Sequence, residues 1–284
     1  YTYEYDQIGN RIKATNGIIE AETTYKTNAL NQYVSKNIRG VVPVVGEADV
    51  DATVKAMRFD TDFTYQKRAI TLDRSGKYFS GHFNVDNREN AVELPLKVYA
   101  FKDNGYKMEE RPVPVPKADE NFTYDLDGNL LSNNGWTYTW NGENRLIKAE
   151  KGSIRLEFNY DYMGRRFEKK VYDNSVLTKY EKYAYDGFKQ IACYQVNGES
   201  TALDKFCSWL PTDLDVPLWV HSVSEGDYAY HTDANKNIRA LYNADGAIAA
   251  EYDYDPFGNV TSLTGDFAEA NPFRFSSEFH DAET

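Results

Sequence analysis

The sequence predicts an all-β protein: a run of repeated antiparallel β-hairpins with a small β-sandwich inserted among them. Three observations carry this. Tyr outnumbers Leu, 23 to 16, in a chain of 284 residues, and Tyr, Val, Thr, Phe and Trp favour half-buried pleated surfaces. A short unit of two aromatics, an Asp or Asn and a Gly recurs along the chain. No segment sustains the 3.6-residue apolar period of an amphipathic helix.

The units come first in chain order. Tyr3–Asn10 reads YEYDQIGN, Phe122–Asn129 FTYDLDGN, Tyr138–Leu146 YTWNGENRL and Phe158–Arg165 FNYDYMGR. Tyr183–Phe188 reads YAYDGF and Tyr252–Asn259 YDYDPFGN, with a weaker pair between them, Tyr230–Asn237 (YHTDANKN) and Tyr242–Gly246 (YNADG). Aromatics at i and i+2 share one face of a strand. An Asp or Asn side chain caps a turn by accepting backbone N–H bonds two residues on. Gly supplies the positive φ that such a turn needs. Each unit therefore reads as strand, turn, strand. Asp125, Asn141, Asp161 and Asp186 follow one another at 16, 20 and 25 residues, a spacing that suits hairpins.

Residues 41–118 lack the unit. Val50, Ala52, Val54 and Ala56 alternate with polar neighbours, and Tyr78–Val85 and Leu96–Phe101 read as strands bounded by Gly, Asn, Asp and Ser clusters. Several short strands at this spacing predict a small antiparallel sandwich. The Pro112–Pro116 stretch reads as an edge strand or stiff linker leading out of it. The domain plan is thus hairpins over 1–40, an inserted sandwich over 41–118, and hairpins again over 119–284. Charge follows the same division. Residues 41–118 hold 12 basic and 12 acidic side chains, whereas 205–284 hold 4 and 14.

With these units laid out, the chain resembles the Rhs/YD-repeat proteins. The resemblance rests on the hairpin units, on TNALNQYVS at Thr27–Ser35 and on FTYDLDGNLLSNNGWTYTWNGENRLIKAE at Phe122–Glu150. It rests equally on Ala249–Thr284, which is similar to the stretch leading into the Rhs core-associated region. The match covers 1–40 and 119–284. It implies a curved, spiral antiparallel sheet of YD hairpins, part of a hollow shell like those of Tc toxins and teneurins. In bacterial members such a shell encloses a C-terminal effector, so the implied partners are that effector and further repeats. The implied location is secreted or at the bacterial cell surface. A partial shell has open edges, which invite self-association. GEADVDATV at Gly46–Val54 resembles the small Ig-like modules inserted in some members.

The remaining chemistry leads mostly to exclusions. A net charge of −12 argues against a nucleic-acid partner. No run approaches 18 apolar residues, so no membrane span is expected, and the first residues lack the pattern of a signal peptide. Asp125, Asp127 and Gly128, like Asp233, Asn235 and Asn237, open in the manner of calcium loops. An EF-hand loop needs Gly at its sixth position and Glu at its twelfth; here stand Leu130 and Trp136 in one, Ile238 and Ala244 in the other. Asp255–Gly258 (DPFG) has the form of the family's cleavage string but follows the aromatic pair of a hairpin unit, so it reads as a turn. Ser276, His280 and Asp281 read as a polar loop. The expected catalytic, cofactor and metal residues are therefore none.

Cys193 and Cys207 would face each other in a hairpin centred near Ser200, either as a disulfide or as two thiols on neighbouring strands. Trp136, Trp140, Trp209 and Trp219 could stack on sugar rings or fill the sheet's own cross-strand ladder. The function expected is a non-catalytic structural scaffold, not an enzyme. The alternative is a carbohydrate- or cell-surface-binding module.

Overall fold

The computed structural model describes residues 1–17, 21–58, 68–212 and 215–283. Residues 59–67 of the predicted insert lie outside the described residues. The chain divides into two compact units, Tyr1–Tyr138 and Thr139–Thr284. Strands dominate both; the one helical element among the described residues is a 3₁₀ turn at Phe275–Ser277.

The first unit opens with β1 (Thr2–Tyr5), β2 (Arg11–Asn16), β3 (Ala21–Thr27) and β4 (Tyr33–Ile38). There follow β5 (Val41–Glu47), β6 (Thr53–Arg58), β7 (Arg68–Thr71), β8 (Asp73–Ser75), β9 (Tyr78–Asn84), β10 (Val92–Lys102) and β11 (Gly105–Val115). It closes with β12 (Asp119–Asn121), β13 (Thr123–Tyr124), β14 (Leu130–Asn133) and β15 (Trp136–Trp140). β1 to β4 form a meander that β12 completes, in the order β1-β2-β3-β4-β12. Seven intervening strands make two small antiparallel sheets, β11-β10-β6-β7 and β5-β9-β8.

These two small sheets share one aliphatic core. Period-two alternation turns Val42 and Val44 inward while Val45 stays exposed. Val54, Ala56, Leu72, Phe79, Phe83, Leu94, Leu96 and Val115 complete the cluster. Where the chain enters and leaves this region, Asn87 holds both ends. Its side-chain amide donates to the carbonyls of Ile38 (3.0 Å) and Pro116 (2.8 Å). Its own carbonyl accepts from the Ala118 N–H at 2.8 Å, and Ile38 N–H donates to Ala118 at 2.7 Å. Gly40 sits so close that a Cβ there would lie 2.0 Å from the Val85 carbonyl oxygen. The insert is thus tied at its root to the strands on either side of it.

The second unit is an open meander. β16 (Leu146–Lys151), β17 (Ile154–Tyr160), β18 (Arg166–Asp173), β19 (Val176–Asp186), β20 (Lys189–Asn197) and β21 (Ser200–Trp209) come first. β22 (Pro217–Ser222), β23 (Gly226–Thr232), β24 (Ile238–Asn243), β25 (Ile248–Tyr254) and β26 (Val260–Thr264) follow. From β17 onward each is hydrogen-bonded to its predecessor, always antiparallel. Its buried cluster gathers Cys207, Val220, Ile238, Leu241, Ala250 and Tyr252 from the strands with Phe267, Ala268 and Phe273 from the segment after them.

One register differs from the sequence reading. The β20–β21 hairpin turns at Gly198–Glu199, not near Ser200, because Asn197 pairs with Ser200. A bulge between Cys193 and Tyr194 then sets Cys193 opposite Lys205. Cys207 lies opposite Val220 on β22 instead. Both cysteines are free thiols and buried. No disulfide joins them.

Candidate functional site: a pinned sheet and its strap

Eight turns among the described residues share one geometry. In each, an Asp or Asn Oδ1 accepts the backbone N–H groups two and four residues on. The eight are Asp6, Asn28, Asp125, Asn141, Asp161, Asp233, Asn243 and Asp255, with distances of 2.8–3.1 Å. The backbone closes the same loop, the N–H of the Asp or Asn donating to the carbonyl four residues on at 2.8–3.0 Å. The third residue after it takes a left-handed conformation, which explains Gly at 9, 128, 164, 246 and 258 and Asn at 31 and 144. In four turns the residue at the fourth place is an Asn that returns a side-chain bond, as Asn129 does to Asp125 at 2.9 Å. That bond, with the backbone donors, holds the Asp125 carboxyl below its ordinary value.

The Tyr before the Asp has a second task. Its phenol donates to a main-chain carbonyl at the start of the preceding strand. Tyr160 reaches Leu146 at 2.8 Å, Tyr185 reaches Arg166 at 2.7 Å and Tyr254 reaches Ile238 at 2.9 Å. Arginine links successive turns in the same way: Arg145 donates to the Asp161 carbonyl at 3.0 Å and Arg165 to that of Gly187 at 2.6 Å. Neighbouring hairpins are therefore fastened to one another at these places. The Tyr183–Phe188 unit departs from the pattern. Asp186 pairs with Lys189 across a tight Gly187–Phe188 turn.

Beyond β26, residues 265–283 run as a strap across one face of the second unit's sheet. Phe267 N–H donates to the Ala249 carbonyl, and Ile238 N–H to that of Arg274, both at 3.0 Å. Buried phenols reach out from the sheet: Tyr252 to the Ala268 carbonyl at 2.7 Å and Tyr230 to Asn271 Oδ1 at 2.8 Å. Rings meet rings, Phe267 stacking on Tyr228 at 3.9 Å and Phe273 meeting Trp209 edge-on at 4.9 Å. Phe275 lies against Gly258, where a Cβ would come within 2.8 Å of its ring.

The strap ends in a buried ion network. Lys169 is only 1% exposed, and its Nζ meets Asp281 Oδ1 at 2.8 Å and Glu283 Oε2 at 2.5 Å. Arg166 grips Asp281 with both terminal nitrogens, at 2.6 and 3.1 Å, while its guanidinium lies 5.1 Å from the Phe279 ring centroid. Lys179 bridges Glu181 (3.0 Å) and Glu283 (3.4 Å). Three cations thus face three carboxylates, two of which belong to the strap. Burial alone would raise the Asp281 carboxyl, but Arg166 and then Lys169 overcome it and hold the group below its ordinary value. Glu283 is likewise lowered, burial being outweighed by the hydrogen bond and charge of Lys169. These carboxylates are locked as anions, an arrangement suited to clamping and unsuited to donating protons near neutrality.

The other sequence candidates fall as follows. Asp125, Asp233 and Asp255 cap turns; Asp255 Oδ1 accepts from Phe257 and Asn259 at 2.8 and 3.0 Å. Asp281 binds Arg166 and Lys169, and Ser276 N–H donates to Asn237 Oδ1 at 2.9 Å. Trp209 donates to the Gln190 carbonyl at 2.8 Å, and Trp136 stacks with Tyr138 at 6.5 Å. Trp219 lies 5.6 Å from Phe206, both more than a third exposed. Glu181, Cys193 and Asp204 bring two carboxylates and a thiol together. Lys179 and Lys205 already neutralise the carboxylates, at 3.0 Å each, and burial pushes the Cys193 thiol up. The Lys169 network and the strap escaped the sequence reading. The one signal was a basic cluster on a strand, Arg166, Lys169 and Lys170, without acidic partners of equal number nearby.

A family model described as teneurin YD-shell matches residues 103–284. This chain belongs to the YD-shell family. The repeated turns are therefore those of a shell scaffold of that kind. Among curated proteins it is similar to the tRNA3(Ser)-specific nuclease WapA of Bacillus spizizenii, 27% identical over 247 residues. It is similar also to the tRNA nuclease WapA of Bacillus subtilis, 27% identical over 246 residues. Each match covers 85% of this chain and 9% of the relative, so the chain spans about a tenth of their length. Among solved structures, the TcdB2-TccC3-Cdc42 complex is 15% identical with a TM-score of 0.45, over 99% of this chain and 14% of that one. The Photorhabdus luminescens Tc holotoxin pore is 16% identical with a TM-score of 0.37, over 99% and 14%.

Proposed function

We propose that this chain is a non-catalytic wall segment of a secreted or surface-delivered bacterial toxin-type protein. In this reading the wall helps enclose and deliver a C-terminal effector. The observation that carries it is the strap, residues 265–283, held on one face of the sheet by its buried Phe267, Ala268 and Phe273 and, at its end, by the Lys169 network. A segment fastened there directs the chain that follows along the same face. The nuclease activity in the WapA names belongs to those proteins; for this chain we assign wall and no enzyme. Residues 41–118 are read as an inserted Ig-like module, tied at its root by Asn87. Electron cryomicroscopy of the intact protein tests the assignment. The expected result is a closed wall with the strap face turned towards enclosed density. A strap face turned outward to solvent overturns it.

A further inference from the structure

A groove of about 860 Å³ lies at the root of the insert, between the chain's entry at Asn37–Val41 and the segment Asn84–Arg88. Its volume falls in the range of small-ligand sites, roughly 300–1,000 Å³. Its charge is unlike the rest of the protein. Among the described residues, Arg39, Arg58 and Arg88 line it together with His82, and Asp86 is the one acidic residue. The chain as a whole carries −12. A local excess of guanidinium in so acidic a protein marks a place for an anion.

We propose that this groove binds a carboxylated sugar chain, an oligouronate. The floor is preformed. Asn87, 3% exposed, knots Ile38 and Pro116 together beneath it, and Gly40 leaves no room for a side chain against Val85. One Arg58 terminal nitrogen donates to the Asn84 carbonyl at 2.8 Å, which fixes the guanidinium along the wall. Arg88 chelates Asp86 at 2.8 and 2.6 Å, and both side chains are mostly exposed. An incoming carboxylate can take the place of Asp86 on Arg88, since an exposed pair of this kind is held by little energy. Planar guanidinium groups match carboxylates in a two-pronged geometry. Ile38, Val41 and Val85 offer apolar surface to sugar C–H faces, and amides and backbone groups offer bonds to hydroxyls. The assignment does not rest on the shell reading and fails or stands apart from it.

Titration calorimetry on the full chain with trigalacturonate, neutral galactotriose and inorganic phosphate tests it. Trigalacturonate is expected to saturate one site at least about tenfold more tightly than either control, with affinity falling as salt is raised. The R39Q/R88Q double variant, whose changes lie on exposed side chains, is expected to weaken it by about tenfold or more while circular dichroism stays unchanged. R58Q is expected to weaken it as well. Equal binding of phosphate shows a small-anion site and overturns the assignment, as does equal binding of galactotriose. Absence of any trigalacturonate heat, or unchanged affinity in both variants, overturns it too.

Discussion

The insert and the second unit's hairpin sheet are built from the same antiparallel strands, yet different forces hold them. In the insert, Val42, Val44, Leu94, Leu96 and Phe83 turn inward on strands that alternate with polar residues, and an apolar core results. In the hairpin sheet, polar groups carry much of the load. Turns are closed by carboxylates and amides, strands are fastened by phenols to carbonyls, and the strap is clamped by a buried ion network. An aliphatic core is indifferent to sequence detail provided that volume is kept. A polar sheet depends on each partner, because a buried cation or donor left alone carries its full desolvation cost. The comparison teaches that polar closures can reinforce a sheet beside its apolar cluster, at the cost of tolerance to substitution.

The most severe way to break this contrast is Lys169→Ala, which leaves Glu181, Asp281 and Glu283 facing one another. Loss of one partner from a buried network costs about 3–5 kcal/mol. Urea unfolding followed at Trp209 fluorescence should show that loss in the second unit, with the insert unaffected. Acid attacks the same contact. The Asp281 and Glu283 carboxyls are lowered in the folded state. Their contribution is therefore complete above their ordinary values of 3.8 and 4.5 and is lost as pH falls through and below that range. Strap release, seen as faster proteolysis of residues 265–283, should begin there and be absent at pH 6.

The reciprocal change is Leu94→Ala in the insert, where a buried leucine becomes a cavity. It should cost about 2–4 kcal/mol of insert stability, measured by hydrogen exchange of β10, and leave strap exchange alone. Asp161→Ala removes an acceptor for two N–H groups and the partner of Arg165. A lower midpoint is expected in thermal unfolding. Tyr254→Phe deletes one phenol bond to the Ile238 carbonyl and should cost about 1 kcal/mol, the smallest effect of the set.

The turns were legible because everything that makes them lies within five residues. Asp125, Gly128 and Asn129 announce cap, positive φ and return bond in one short string. Asn28–Gln32 forms the same turn with Asn31 in place of Gly, a substitution that its left-handed φ of 62° allows. Asp186 shows the limit of the pattern: its string lacks the two residues between Asp and Gly, and a tight hairpin forms instead. The cysteine register was misjudged because the turn closes at Gly198–Glu199, which pairs Tyr194 with Leu203; the bulge at Cys193 moves its partner by only one residue, to Lys205, still short of Cys207. The strap network was hidden for a different reason. Lys169 and Asp281 are 112 residues apart, Arg166 and Asp281 115, and no local signal ties a basic strand to acidic residues so distant.

Hydrogen exchange of the full chain, read peptide by peptide in the wild type and in Lys169→Ala, tests the central claim most directly. If polar clamping holds the strap to the sheet, peptides covering 265–283 should exchange at least about tenfold faster in the variant, while those of β5, β9 and β10 keep their wild-type rates. Unchanged exchange in 265–283 would contradict the account, as would an equal acceleration in the insert.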